Sequence, residues 1–242
     1  PISGTGGIIK SGSGLLILNG SHTYSGPTII TGGALQVGGS LPPGAIQMTN
    51  GFITGTGNVD GITSLNQGIA AISPGTSSAT GTLTSNDDVT LFSNDQVWFD
   101  ITSTGSDKLV VNGAVRMPIE ANGFFLALQS TYVPLVNTTF VLIENDGTDP
   151  VVFDAVTPSN YLIPTFLLNG QRFQISLVGG TTRNDVVLTK VAPSNATVTT
   201  FITSDSSVNH GDSVTFTATF TGTVNASPVS FWDGNEYLGS SN

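Results

Sequence analysis

The residues best able to do acid or nucleophilic chemistry are Asp87, Asp88, Asp95 and Asp100, the densest acidic group in the chain. Two carboxyls facing each other across about 5 to 10 Å can cleave a glycosidic bond, one as acid and the other as base or nucleophile. Asp87 and Asp88 are adjacent, however, and neighbours on a strand point to opposite faces. An N-D-D run ahead of a strand is also an ordinary hydrogen-bonded turn. These aspartates are expected as turn residues, and no catalytic residue is assigned. A nucleophilic triad would have to use His22 or His210, since the chain has no other histidine and no cysteine. Neither lies near a G-x-S-x-G elbow, and a histidine without an orienting partner is a weak base. Both are expected as solvated turn residues. The run GGTTRNDVVL at 179–188 echoes a calcium-binding nonapeptide, with Asn184 and Asp185 as its weak oxygen-donor candidates. It occurs once, Arg183 stands where glycine is expected, and such sites need stacked copies, so a plain hairpin turn is preferred. No cofactor or metal is assigned, with calcium kept as the alternative. The glycines of GTGNVDG at 55–61 are not a phosphate cradle, because no helical periodicity follows them. They suit tight corners that require positive φ.

Any such site would be carried by short strands. Up to about Leu91 the chain is a series of apolar bursts bounded by glycine: LLILNG at 15–20, ALQVGG at 34–39, AIQMTNG at 45–51, ITSL at 62–65 and IAAI at 69–72. Each has strand length, not helix length. In ALQV, Leu35 and Val37 share one face and Gln36 takes the other; Ile46 and Met48 flank Gln47 in the same way. A spacing of roughly ten residues suits a sandwich, a barrel or a β-helix. The shortness of the strands and the looseness of the repeat favour units that bury their faces only by stacking on one another. Between about Gln96 and Val191 the strands lengthen and fill with Trp98, Phe99, Phe124, Phe125, Phe140, Phe166 and Phe173. This stretch is expected to be the thicker end of the same solenoid, its aromatics serving as core or cap.

Composition narrows the partners. The chain of 242 residues is 38% apolar and only 9% charged, with 30 glycines and a net charge of -10. Mildly positive hydropathy with recurrent apolar runs argues for order, and no run is long enough to span a bilayer. The six basic residues are scattered, so no stripe exists to displace the counterions of nucleic acid. The opening PISGTGGIIKSG shows no secretion signal and reads as an internal piece of something longer.

The run GTGGIIKSGSGLLILNGSHTYSGPTIITGGALQVGG resembles the passenger-associated repeat of bacterial autotransporters, in which K-x-G-x-G and L-x-L-x-G precede N-T-Y-x-G-x-T-x-I-x-x-G-x-L-x-V. His22 stands where asparagine is usual, while Thr23, Tyr24, Gly26, Thr28, Gly33, Leu35 and Val37 match. ISPGTSSATGTLTSNDDVTL at 72–91 and DKLVVNGAVRM at 107–117 are similar to later parts of such passengers. The resemblance implies a right-handed parallel β-helix on an exported protein. After a boundary at VAPSNATVTT, the segment 193–242 resembles the first half of a bacterial Ig-like repeat module, with Val214, Phe216, Ala218 and Phe220 on one face of a strand and threonines on the other. A complete sandwich needs about 100 residues, so half of one is expected here.

The expected fold class is therefore all-β: a right-handed parallel β-helix over 1–192, with its aromatic-rich end at about 96–191, followed by a partial Ig-like β-sandwich over 193–242. The expected function is that of a non-enzymatic structural or adhesive segment of a large secreted protein at the bacterial cell surface. It would act as a rigid stalk and contact module, able to self-assemble into a filament or layer. Its expected partners are copies of itself, neighbouring surface proteins or glycans, with no nucleic acid and no membrane insertion. The alternatives are a polysaccharide-active enzyme on the same scaffold and a calcium-dependent carbohydrate-binding module.

Overall fold

A computed structural model describes residues 1–117, 124–145, 151–153, 165–180, 184–192, 197–203, 215–221, 229–233 and 236–241. Its regular elements are all strands, and the chain divides into compact units Pro1–Val191 and Ala192–Asn242.

In the first unit the chain visits three sheets in turn and returns to each one position further along. The first sheet runs Ile8–Lys10, Thr28–Ile30, Ile46–Met48, Ile62–Ser64, Val89–Thr90, Val115–Met117 and Val152–Phe153, all neighbours parallel. The second runs Leu15–Leu18, Ala34–Val37, Gly51–Gly55, Ala70–Pro74, Gln96–Thr102 and Phe124–Leu128, these neighbours again parallel, with Gly105–Ser106 folding back antiparallel on Gln96–Thr102. The third stacks Asn58–Val59, Thr82–Ser85, Lys108–Val111 and Thr139–Asn145 in parallel. Bridges from Ser21 to Ser40 and from Ser40 to Asn58 carry this side back to the first rungs. Such connectivity is that of a parallel β-helix.

The strands have this form because each is too short to bury a face alone. Register puts like side chains one above another: Leu35, Ile53, Ile72 and Val97 form an inward ladder, and Ile46, Ile62, Val89 and Val115 form a second. All eight are essentially solvent-free, and each contributes about 1.5–3 kcal/mol by leaving water. The expected alternation holds, with Leu35, Val37, Ile46 and Met48 buried and Gln36 and Gln47 turned outward.

The far end differs from a uniform solenoid. Thr139–Asn145 pairs antiparallel with Asp185–Lys190, which pairs antiparallel with Gln171–Gly179, which pairs antiparallel with Phe166–Leu168. The cause is local: Asn169 and Gly170 both have positive φ (47° and 72°) between the paired residues Leu168 and Gln171. A two-residue loop of that kind fits the twist of a hairpin and is far too short for a parallel return. Asn169 donates from Nδ2 to the Leu128 carbonyl at 2.7 Å, and Gln171 from Nε2 to the Tyr132 carbonyl at 2.8 Å, so this meander ties down the last rung.

The aromatics expected as core or cap divide between core and surface. Phe99, Phe140 and Phe173 are buried, and Phe124 and Phe166 pack partly against the core. Trp98 faces outward instead. In the second unit, Thr197–Thr203 pairs antiparallel with Phe216–Thr221, and Val229–Asp233 with Glu236–Ser241. Thr215, Thr217 and Thr219 are exposed, while Val214 lies outside the described residues.

Candidate functional site

Rung-to-rung polar clamps occupy corners of the coil, among them Asp88 and Asp95, at which catalysis was weighed. At the first corner, Lys10 is buried, and its Nζ donates to the carbonyls of Ser11, Gly12 and Gly32 at 2.8, 2.9 and 2.9 Å. This joins one turn to the next, so the lysine of K-x-G-x-G holds a corner closed. Gly33 closes the same corner with φ +67°, and a Cβ there would lie 2.4 Å from both the Gly12 and Gly14 carbonyl oxygens and 2.5 Å from Lys10 Nζ. Tyr24 and Thr28 pair their hydroxyls inside the same repeat.

The aspartates act likewise at later corners. Asp95 is buried and accepts from Ala70 N–H at 2.9 Å and Phe92 N–H at 2.7 Å, pinning the corners of two successive rungs. Asp88 accepts from Ala114 N–H at 2.8 Å, and Asp87 accepts from the N–H of Asp88 at 2.8 Å. Asp100 is exposed. The four therefore do not converge on one cleft: three hold turns, as their positions before strands suggested. Asp107, which sequence reasoning had passed over, is buried and accepts from Gly81 N–H at 2.8 Å and Asp100 N–H at 2.9 Å. Burial pushes its carboxyl up to about 6 from an ordinary 3.8; the two backbone donors oppose that rise and the Asp100 charge adds to it.

His22 departs from expectation. It is buried, and its Nδ1 accepts from the Ile2 N–H at 3.1 Å. Its position on the third side alternates inward with Tyr24, between exposed Ser21 and Thr23, which removes it from solvent. His210 lies outside the described residues. Asn184 and Asp185 are buried where the second hairpin returns, and Asp185 accepts from Asn145 N–H at 3.0 Å. A Cβ on Gly180 would meet the Asp185 carboxylate, so this pair is built into a close hairpin contact. Thr181 to Arg183 lie outside the described residues. Among the described residues, no three His, Asp or Glu side chains gather as a metal shell.

Sequence reasoning missed a surface feature on the second sheet. Phe52, Trp98 and Phe125 form an outward aromatic row: the rings of Trp98 and Phe125 stack at 4.3 Å, and Phe52 meets Trp98 edge-on at 6.2 Å. Phe52 and Trp98 remain 39% and 38% exposed, unusual for residues of that size. Trp98 donates from Nε1 to Gln96 Oε1 at 3.0 Å. Gln96 in turn edges an open depression lined by Asn66, Gln67, Ile69, Ser93 and Asn94. The available signal was the strict alternation of QVWFDIT, which puts Trp98 opposite to Phe99.

Residues 8–37 match the family model described as Passenger-associated-transport-repeat, the stretch that contains the Lys10–Gly33 corner. An extracellular serine protease of Serratia marcescens is 29% identical over 153 residues, which is 60% of this chain and 14% of that protein. The Adhesin BmaC autotransporter of Brucella suis biovar 1 is 44% identical over 54 residues, 21% of this chain and 2% of the adhesin. The Neisserial autotransporter lipoprotein NalP of Neisseria meningitidis serogroup B is 56% identical over 39 residues, 16% of this chain and 4% of that protein. The chain thus spans at most 14% of the length of these relatives.

Proposed function

We propose that this chain is a passenger-type segment of a secreted bacterial surface protein, serving as a stiff, non-catalytic stalk and contact module. The observation that carries the reading is the way its polar side chains are used. Lys10, Asp88, Asp95 and Asp107, which could have served chemistry, bind backbone groups of neighbouring turns instead. A core of stacked ladders with clamped corners resists bending and proteolysis, because each rung is held by main-chain bonds on three sides and by side chains at its turns. Export is supported by the match to the passenger repeat and by likeness to parts of autotransporter proteins. A right-handed coil is the hand that crossover connections between parallel strands almost always adopt.

Part of an extracellular serine protease is similar to this chain, and we read the present segment as a supporting one. Its candidate base, His22, spends Nδ1 on a backbone N–H inside the repeat. We read residues 193–242 as the first half of an Ig-like module, an assignment supported by antiparallel pairing and exposed alternate threonines. Self-association is a natural extension for a chain whose strand faces expose Ile9, Leu15 and Ile17; a monomeric sedimentation profile at high concentration, with and without calcium, would rule it out. The surface reading is tested with an antibody raised against the chain. Labelling of intact cells of the producing bacterium is expected, and labelling that requires permeabilisation would refute it.

A further inference from the structure

The depression beside Trp98 has features that a stalk does not require. Its two walls are the corners between the first and second sheets on successive rungs, Asn66 to Ile69 and Ser93 to Gln96. Four carboxamides line it, those of Asn66, Gln67, Asn94 and Gln96, and the lining contains no charged side chain. Both walls are held in place from below by one buried carboxylate: Asp95 binds the N–H of Ala70, just past the first wall, and the N–H of Phe92, just before the second. Asn66 is held at φ 52°, a left-handed turn conformation that asparagine adopts readily, and its N–H donates to Ser64 Oγ at 3.2 Å. On one flank stands the exposed indole of Trp98, oriented through its bond to Gln96.

We infer that this amide-lined corner with its indole flank is a calcium-independent binding site for an uncharged polysaccharide chain. A carboxamide presents a donor pair and an acceptor in one plane, which matches the vicinal hydroxyls of a sugar ring. Phe125 stacks on one face of Trp98 at 4.3 Å and Phe52 lies edge-on at 6.2 Å, so the C–H face of the sugar ring packs against the exposed apolar rim of this aromatic row rather than on a free indole face. Charged glycans find nothing here to pair with, and a peptide would lack the apolar pocket that anchors side chains. Among the described residues of the lining the one apolar side chain is Ile69, which is itself half exposed. The inference deepens the surface-contact reading by naming a ligand class, but it is measured on the isolated chain, so failure of export and failure of binding are separate results.

The test is a titration of the full chain, with EDTA present, against maltohexaose, cellohexaose and chitohexaose, with hexagalacturonate as the charged control, followed by proton–nitrogen NMR. The expected result is that at least one neutral hexasaccharide binds with a dissociation constant of about 1 mM or tighter. It should shift the indole N–H signal of Trp98 but not that of Trp232, the other tryptophan of the chain. The double variant Asn94→Ala, Gln96→Ala should weaken that binding about tenfold, with an unchanged far-UV circular dichroism spectrum. Gln47→Ala, on a different sheet, should bind as the parent does. Because the indole signal is read on the parent chain, the result stands even where a variant folds poorly. The inference is overturned if no neutral sugar binds, if hexagalacturonate binds equally well, if the shifts fall elsewhere, or if an extended peptide displaces the sugar from the same signals.

Discussion

Replacing Gly33 by alanine separates the two demands that the passenger-repeat corner makes on glycine, provided Gly12 is replaced alongside it. Both residues have nearly the same left-handed backbone, φ +67° and +70°, but a Cβ on Gly12 would meet nothing within 4 Å. Gly12→Ala therefore incurs only the cost of placing an L side chain in that region, about 1 to 2 kcal/mol. Gly33→Ala incurs the same cost and also drives its Cβ against the Gly12 and Gly14 carbonyls and Lys10 Nζ. Those atoms cannot yield freely. The Gly14 carbonyl accepts from Ala34 N–H at 3.1 Å, and the Gly12 carbonyl accepts from Lys10 at 2.9 Å. Overpacking of this kind costs about 1 to 3 kcal/mol, and each weakened hydrogen bond about 1 more. Gly33→Ala is thus expected to cost about 4 to 7 kcal/mol, at least twice the cost of Gly12→Ala. Because a stack of rungs can open locally, the appropriate assay is native-state hydrogen exchange at the Ala34 and Phe52 amides, which bond to Gly14 and Gly33 across adjacent turns. Equal costs for the two variants would refute the argument that close approach, beyond backbone conformation, selects glycine at residue 33.

The other expectations follow from the same clamps. For Asp107, a folded-state value near 6 against an ordinary 3.8 means that the native chain holds the proton more tightly than the unfolded one. Its contribution therefore worsens as pH rises from about 4 to about 6, by about 3 kcal/mol in all. The urea stability of the parent relative to Asp107→Asn should improve by up to that amount between pH 7.5 and pH 4, and a difference flat with pH would contradict it. Asn169→Ala should destabilise the end meander more than Gly170→Ala does, because it also removes the bond to the Leu128 carbonyl; comparative protease sensitivity would check this. Lys108→Ala should cost less than about 1 kcal/mol by urea unfolding, since its bridge to Glu144 is partly solvated on both sides. Finally, EDTA should leave the melting curve of the first unit unchanged, because Asp185 already serves a backbone N–H; a chelator-sensitive transition would restore the calcium alternative.

Much of the architecture could be read from the chain alone. Alternation in ALQV and AIQM, with glycine at each end, determined which side chains face inward, because side-chain direction in a strand has a period of two. The Asn169–Gly170 pair marked a hairpin and would have refined the expectation that the solenoid's thicker end continues up to Val191, since dihedral preference is local. Tertiary structure alone decided which rungs are neighbours. That neighbour relation turned Asp95 from candidate chemistry into a clamp, gave Lys10 and Asp107 the same role, buried His22 behind a turn, and set Gln96 beside Asn66 across successive rungs. The physical reason is that inter-rung partners lie at separations which shift as the corners change length. No fixed spacing announces them, and a polar side chain acquires its role only when stacking delivers a backbone group to meet it.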